Sequence, residues 1–197
     1  FTKFVTATAQ ELKISLQPGS ATPSTDTYLI VTDAGGTLAL ESDEDNAFTG
    51  SIVSGSFPPG TYYAASAGIF DNNGYTVSLT CSAPRINTAG LGPTTFMLPA
   101  DGNATFVFAP KTPVPAEFSA TSVSDDPQLV VLDGATGRVV AASDDFSGVG
   151  SKIGAQLPVG QHFMIIKEYD GLASTVTYSG DPAVTRSATD NVVVTGK

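Results

Sequence analysis

His162 is the only histidine of the chain, so any Ser/His/Asp or Cys/His mechanism would have to use it as its base. It sits mid-strand at the place where the first half of the chain has Tyr62, which favours a packing or surface role over a catalytic one. Paired carboxylates of the kind that hydrolyse glycosides can be drawn from Asp43, Glu44, Asp45, Asp144 and Asp145. These residues recur at matching loop positions in the two halves of the chain, which points instead to structure. The same loops suit a hard cation. Ca²⁺ takes six to eight oxygen ligands, and Asp43, Asp45, Asp71, Asn73, Asp144 and Asp145 are the candidate ligands, although no full Asp-x-Asp-x-Asp-Gly loop is present. Zinc has no cluster of His and Cys to hold it, and no glycine-rich phosphate loop precedes a helix. No cofactor is required by these residues, and Ca²⁺ is the one ion they would accept. Tyr28, Tyr62, Tyr63 and Tyr75 are candidates for an aromatic binding face. Strand alternation sends Tyr62 and Tyr63 to opposite faces, so at most one of the two is core.

The elements that would carry these residues are strands. Thr, Ser, Ala, Val and Gly dominate while the best helix formers are scarce, and no stretch of ten residues has helical periodicity. A hydrophobic fraction of 41% against 14% charged residues supplies packed cores. The net charge of −10, from 19 acidic and 9 basic residues, opposes binding to nucleic acid or to an anionic membrane surface. No apolar run reaches the roughly 20 residues of a membrane-spanning helix, so no membrane insertion is expected. Cys81, the one cysteine, has no internal partner for a disulfide and reads as a small buried hydrophobe. The chain begins at Phe1 without a basic-then-apolar leader and is expected to be a mature secreted product, at the cell surface or outside the cell.

The chain repeats itself. Asp26–Asp33 is echoed by Asp126–Asp133 at an offset of one hundred residues. Leu38–Glu44 matches Val139–Asp145, and Ile52 is set against Ile153, each one residue further on. The offset returns at Phe57-Pro58-Pro59-Gly60-Thr61-Tyr62-Tyr63 and Leu157-Pro158-Val159-Gly160-Gln161-His162-Phe163. In both, Pro presets φ and Gly tolerates a positive one, making a tight turn into a strand. Both copies close on an alternating strand, Tyr75–Thr80 and Ser174–Ser179. The expected architecture is all-β, two tandem β-sandwich domains of jelly-roll type, at residues 1–81 and 100–197 joined by a connecting segment at 82–99.

An Asp-led apolar strand, a Gly turn, a strand ending in Ser-Asp-acid, then Pro-x-Gly before an aromatic strand and a closing strand resembles the bacterial pre-peptidase C-terminal domain. Both copies carry the pattern, over Glu11–Thr80 and Asn103–Ser179; Gly60-Thr61-Tyr62-Tyr63 keeps the usual form and Gly160-Gln161-His162-Phe163 departs from it. The resemblance implies a noncatalytic β-sandwich related to collagen-binding modules, some of which use calcium. Such domains normally accompany an enzyme, whereas two copies fill this chain.

Two segments fall outside the repeated pattern: Phe1–Gln10, with Phe4 and Val5, and Asp190–Lys197, with Val192, Val193 and Val194. A β-rich tail can pair with the open edge of another subunit or within its own molecule. The leading expectation is a noncatalytic secreted structural subunit whose partners are copies of itself, joined by strand pairing into a filament, sheath or surface layer. The alternative is an extracellular module that binds collagen-like protein or polysaccharide, accessory to a secreted protease.

Overall fold

The computed structural model describes residues 1–18, 27–43, 50–68, 75–87, 93–123, 126–144, 150–169 and 172–180. Within them the chain is all-β. The first repeat comprises β1 (Thr2–Thr6), β2 (Gln10–Pro18), β3 (Thr27–Asp33), β4 (Leu38–Asp43), β5 (Ile52–Phe57), β6 (Gly60–Gly68) and β7 (Tyr75–Ser82). A further strand, β8 (Thr94–Leu98), precedes the second repeat of β9 (Asn103–Phe108), β10 (Val114–Ser122), β11 (Pro127–Asp133), β12 (Val139–Ser143), β13 (Gly150–Leu157), β14 (His162–Glu168) and β15 (Ser174–Gly180). The sheets of repeat one run β1-β6-β3-β4 and β5-β2-β7; those of repeat two run β9-β14-β11-β12 and β13-β10-β15-β8. The two sandwiches thus share one seven-strand plan, and β8 is an addition to the second.

Register confirms the equivalence strand by strand. Asp33 lies opposite Tyr62 as Asp133 lies opposite His162, and a register shift after Val31 recurs after Val131. One pairing departs from the sequence alignment. Val53 stands opposite Ile14 as Ile153 stands opposite Phe118, so Val53, not Ile52, is the counterpart of Ile153. Adjacent β-branched residues in Ile52-Val53 make either choice equally apolar; only the facing strand decides between them.

Alternation builds half-buried strands where one face meets a core. In β10, Ala116, Phe118 and Ala120 are buried while Pro115, Glu117 and Thr121 are exposed. The middle of the molecule is different. Strand β14 is buried at every residue and β11 at all but its last, matching the near-continuous apolar runs Leu129–Leu132 and Phe163–Ile166. Such runs mark a sheet covered on both faces. Leu129, Val131, Met164 and Ile166 join Phe106, Phe108 and Phe118 in the core of repeat two. Val107, Val130, Leu132, Phe163 and Ile165, from the same strands, enter the core of repeat one beside Leu12, Ile14, Val53 and Phe57. Each such side chain contributes roughly 1.5–3 kcal/mol on full burial, so the repeats form one body rather than two tethered ones.

The contact is tightest at β5, which is buried on both faces. Ser54 Oγ donates to the Asp101 carbonyl (2.8 Å), and Ser56 N donates to Thr105 Oγ1 (3.1 Å), so the polar positions of this strand bond to repeat two. A methyl group at Gly55 would stand 2.9 Å from Ile165 Cδ1 and 3.0 Å from its Cγ2. Glycine lets Ile165 reach the first core.

Two segments whose role the sequence left open are paired here. Residues 1–10 are not a tail outside the sandwich: β1 pairs with β6, Phe4 opposite Tyr62, as β9 pairs with β14 in repeat two. Residues 82–99 do more than connect, because β8 adds to β15 and Ile86 bridges to Thr105. Val192, Val193 and Val194 lie outside the described residues.

Gly55→Ala is expected to cost about 1–3 kcal/mol by overpacking against Ile165. Gly154→Ala, where an added methyl meets nothing within 4 Å, is expected to be neutral or to gain up to about 1 kcal/mol. Thermal or denaturant unfolding of the two variants compares them directly.

Candidate functional site

The turns after β3 and β11 are anchored by their terminal aspartates. Asp33 Oδ1 accepts from Gly35 N (2.7 Å) and Thr37 N (3.0 Å); Asp133 Oδ1 accepts from Ala135 N (3.1 Å), Thr136 N (2.8 Å) and Thr136 Oγ1 (2.6 Å). In repeat one the second oxygen is used as well. Asp33 Oδ2 accepts from Val139 N (3.0 Å) and faces Arg138 Nε (3.3 Å), both in repeat two. Burial pushes the Asp33 carboxyl up, but the amides of Val139, Thr37 and Gly35 and the Arg138 charge outweigh it and hold it below the usual range. The two turns touch, a methyl group at Gly35 standing 2.6 Å from Arg138 Nη2, and Gly137, with φ of 68°, packs on β6, where a methyl group would lie 2.4 Å from the Tyr62 hydroxyl.

Tyr62 and His162 do the same work in the two repeats. Tyr62 OH donates to the Pro58 carbonyl (2.9 Å), and His162 Nε2 bonds to the Pro158 carbonyl (2.9 Å). Each ring packs on the matching phenylalanine, Phe4 on Tyr62 at 5.5 Å between centroids and Phe108 on His162 at 5.6 Å. The one imidazole is therefore closed off from solvent and committed to the core. Tyr62 is likewise fully buried, which removes it from the expected aromatic binding face; an inward register beside Phe57 explains why. Phe4 is buried with it and is not a surface contact, while Val5 points outward and is exposed. Tyr63 is half-buried on the opposite face of β6, and the half-buried Tyr28 gives its hydroxyl to Glu41 Oε2. The side chain of Tyr75 lies outside the described residues.

Between β4 and β12 lies a groove of about 320 Å³. Leu38, Ala39 and Leu40 form one wall, Val139, Val140 and Ala141 the other, with Gln128, Glu41 and Asp144 at its polar end. The outward edge of β4 is capped from repeat two: Glu41 N donates to Gln128 Oε1 (3.1 Å), and Lys167 Nζ donates to the Glu41 carbonyl (3.3 Å). Gln128 Nε2 is buried and has no hydrogen-bond partner among the described residues. The Glu41 carboxyl is pushed up to about 7, first by burial and then by Asp144, against the opposing Tyr28 hydroxyl and Lys167 charge. Of the candidate metal ligands, Asp144 is thus engaged with Glu41. Asp45, Asp71, Asn73, Asp145 and the Asp43 side chain lie outside the described residues, among which no group of three or more His, Cys, Asp or Glu is gathered for a metal.

The sharpest difference between the repeats is at their last strands. Leu16 faces Val77 as Ala120 faces Tyr178, so β7 and β15 hold equivalent places. In repeat two β8 pairs along the far edge of β15, Phe96 opposite Val176, and both Val176 and Tyr178 are 0% exposed. In repeat one β7 pairs with β2 on one side, and no described strand lies along its far side. Val77 and Leu79, on the inward side shared with Leu16 and Ile14, are 39% and 43% exposed, and Cys81 is exposed beside them. Cys81 was expected to be buried; the uncovered edge is the reason it is not. Sequence inspection could not find this edge, because it is defined by a missing neighbour.

No protein-family model matches the chain, and no curated protein matches it. Among solved structures it is similar to a pre-peptidase C-terminal domain of collagenase from Bacillus anthracis, with 14% identity and a TM-score of 0.40 over 46% of this chain and 90% of that one. It is also similar to an anti-sigma factor domain-containing protein from Clostridium clariflavum, with 12% identity and a TM-score of 0.28 over 94% of this chain and 79% of that one. At these scores the fold rests on strand order and register, and no argument about function passes through either likeness.

The Glu41 carboxyl makes a testable contribution to pH dependence. Its folded-state pKa is raised above the unfolded value, so its relative stabilising contribution is complete below about 4.5 and is lost as pH rises through about 7. Wild type should lose thermal stability across that window, and Glu41→Gln, which keeps an acceptor for Tyr28, should flatten the decline. The lowered carboxyls of Asp33 and Asp133 act in the opposite sense, their contribution disappearing as pH falls below the ordinary aspartate range.

Proposed function

We propose that this chain is a noncatalytic, secreted structural subunit that assembles with copies of itself by strand pairing into an extracellular filament, sheath or surface layer. The far edge of β7, which no described strand covers, carries this reading. Edge strands of stable monomers are blunted by charge, proline, bulges or a covering segment. The segment Tyr75–Ser82 contains no charged residue and no proline, and its inward side chains Val77 and Leu79 stand open to solvent. An edge of this kind is a template for another strand. A contact between two different surfaces of the same subunit propagates without closing. The charge of −10 supports a soluble, dispersed subunit before assembly and opposes nucleic acid as partner.

A second reading has its own support. The groove between β4 and β12, with apolar walls and the unpartnered Gln128 Nε2, offers a place for an acceptor-bearing ligand, which favours an extracellular module that binds protein or polysaccharide.

Electron microscopy and light scattering of the purified chain over a concentration series separate the two. Subunit assembly predicts elongated species that lengthen with concentration. A particle that stays monomeric at the highest attainable concentration contradicts it, and binding of collagen peptides or glycans by that monomer, lost in Gln128→Ala, would establish the second reading.

A further inference from the structure

The junction between the two repeats is a pattern for a junction between subunits. Strand β8 belongs to the segment that leaves repeat one, yet it pairs with β15 of repeat two, Ser174 opposite Leu98, Val176 opposite Phe96 and Tyr178 opposite Thr94. Its inward residues finish the second core. Leu98 is buried, and Phe96 packs at 5.9 Å on Phe106, which stacks at 5.0 Å on Tyr178. Its outward residue Met97 is 70% exposed. The first repeat thus lends a strand to the last strand of the repeat that follows it.

The corresponding place in repeat one is empty among the described residues: β7 has no neighbour on its far side, and Val77, the counterpart of the fully buried Tyr178, is exposed. The segment leaving repeat two contains Val192-Val193-Val194-Thr195-Gly196, an uncharged β-branched run in an otherwise acidic chain. Its pattern fits β8. Val192 and Val194 can take the inward places of Thr94 and Phe96, with Val193 outward as Thr95 is, which sets Val192 opposite Val77. The two runs also lie at similar distances from the strand before them: Thr94 is twelve residues beyond the last residue of β7, and Val192 is twelve beyond the last residue of β15.

Building on the assembly reading above, we propose that Val192–Thr195 of one copy pairs with the free edge of β7 in a second copy, completing its first sandwich as β8 completes the second. Donor and acceptor then lie at opposite ends of the repeat order, so each copy accepts one strand and donates another, and every junction along the assembly, within a subunit or between subunits, follows one design. Burial of Val77 beneath Val192 supplies the apolar gain, and main-chain bonds to β7 supply the register.

Two complementary variants test this. A chain lacking Val192–Lys197 keeps only the acceptor, and Val77→Lys keeps only the donor. Each alone should lose assembly, and an equal mixture should form a one-to-one dimer that grows no further. A synthetic peptide spanning Asp190–Lys197, added to the unmodified chain, should shorten its assemblies by capping β7, a readout that does not depend on the variants folding. In a Cys81→Ser background, cysteines placed at Val77 and Val192, opposite each other in this register, should give a disulfide-linked ladder of chain multiples. A disulfide closed within single chains would show that the segment serves its own molecule and would overturn the proposal. Normal assembly of the truncated chain would overturn it too while leaving the filament reading intact. A full-length chain that stays monomeric, with no dimer from the mixture and no peptide binding, would overturn both.

Discussion

The double burial of the sheet β9-β14-β11-β12 is the constraint on which the rest of this molecule depends. A sandwich normally gives each sheet one dry face and one wet one. Here alternate residues of the same strands, Met164 and Ile166 against Phe163 and Ile165, fill two different cores. The first repeat cannot close its core without Ile165, and Ile165 can enter only because β5 carries Gly55 where it passes. Polar groups follow the same logic. Asp33 binds the amide of Val139, and the edge of β4 is capped by Gln128 and Lys167, so the repeat junction is satisfied as a domain interior would be. One edge of the first sandwich is thereby protected by the second.

The opposite end of the first sandwich has no such protector among the described residues. That asymmetry is what turns a duplicated fold into a directional object. Repeat two has its last strand covered and its middle sheet buried; among the described residues the last strand of repeat one has no cover. The groove between β4 and β12 is a different kind of feature. Glu41 and Asp144 face each other across the repeat junction there, and burial beside Asp144 lifts the Glu41 carboxyl to about 7, which ties the junction to pH.

Much of this was legible in the residues, and what was not had a physical reason. The repeat could be read because its markers are local: Asp33 and Asp133 bond to their own turns, and the Pro-x-Gly turns fix their own φ angles. Strand alternation rightly divided Tyr62 from Tyr63. It could not say that Tyr62 would be the buried one, because that depends on Phe4 and Phe57 arriving from distant strands. The first ten residues looked like a tail because Thr2–Thr6 is short and only partly alternating, and its pairing with β6 spans nearly sixty positions. The strand β8 was hidden among the prolines of the connecting segment. The free edge of β7 has no sequence signature at all; Cys81 and Leu79 read as core residues, and only the absence of a neighbour exposes them. Most of the acidic loop residues considered as calcium ligands fall outside the described residues and stay as the sequence left them.

The central claim is that equivalent strands differ in cover, β15 paired on both edges and β7 on one. Amide hydrogen exchange followed by mass spectrometry measures this directly on dilute, unassembled chain. The account predicts that peptides covering Ser174–Gly180 are protected along the strand, whereas those covering Tyr75–Ser82 exchange rapidly at alternate amides and gain protection when the chain is concentrated. Equal protection of both strands in the dilute monomer would mean that β7 is already covered by its own chain, and would contradict the account.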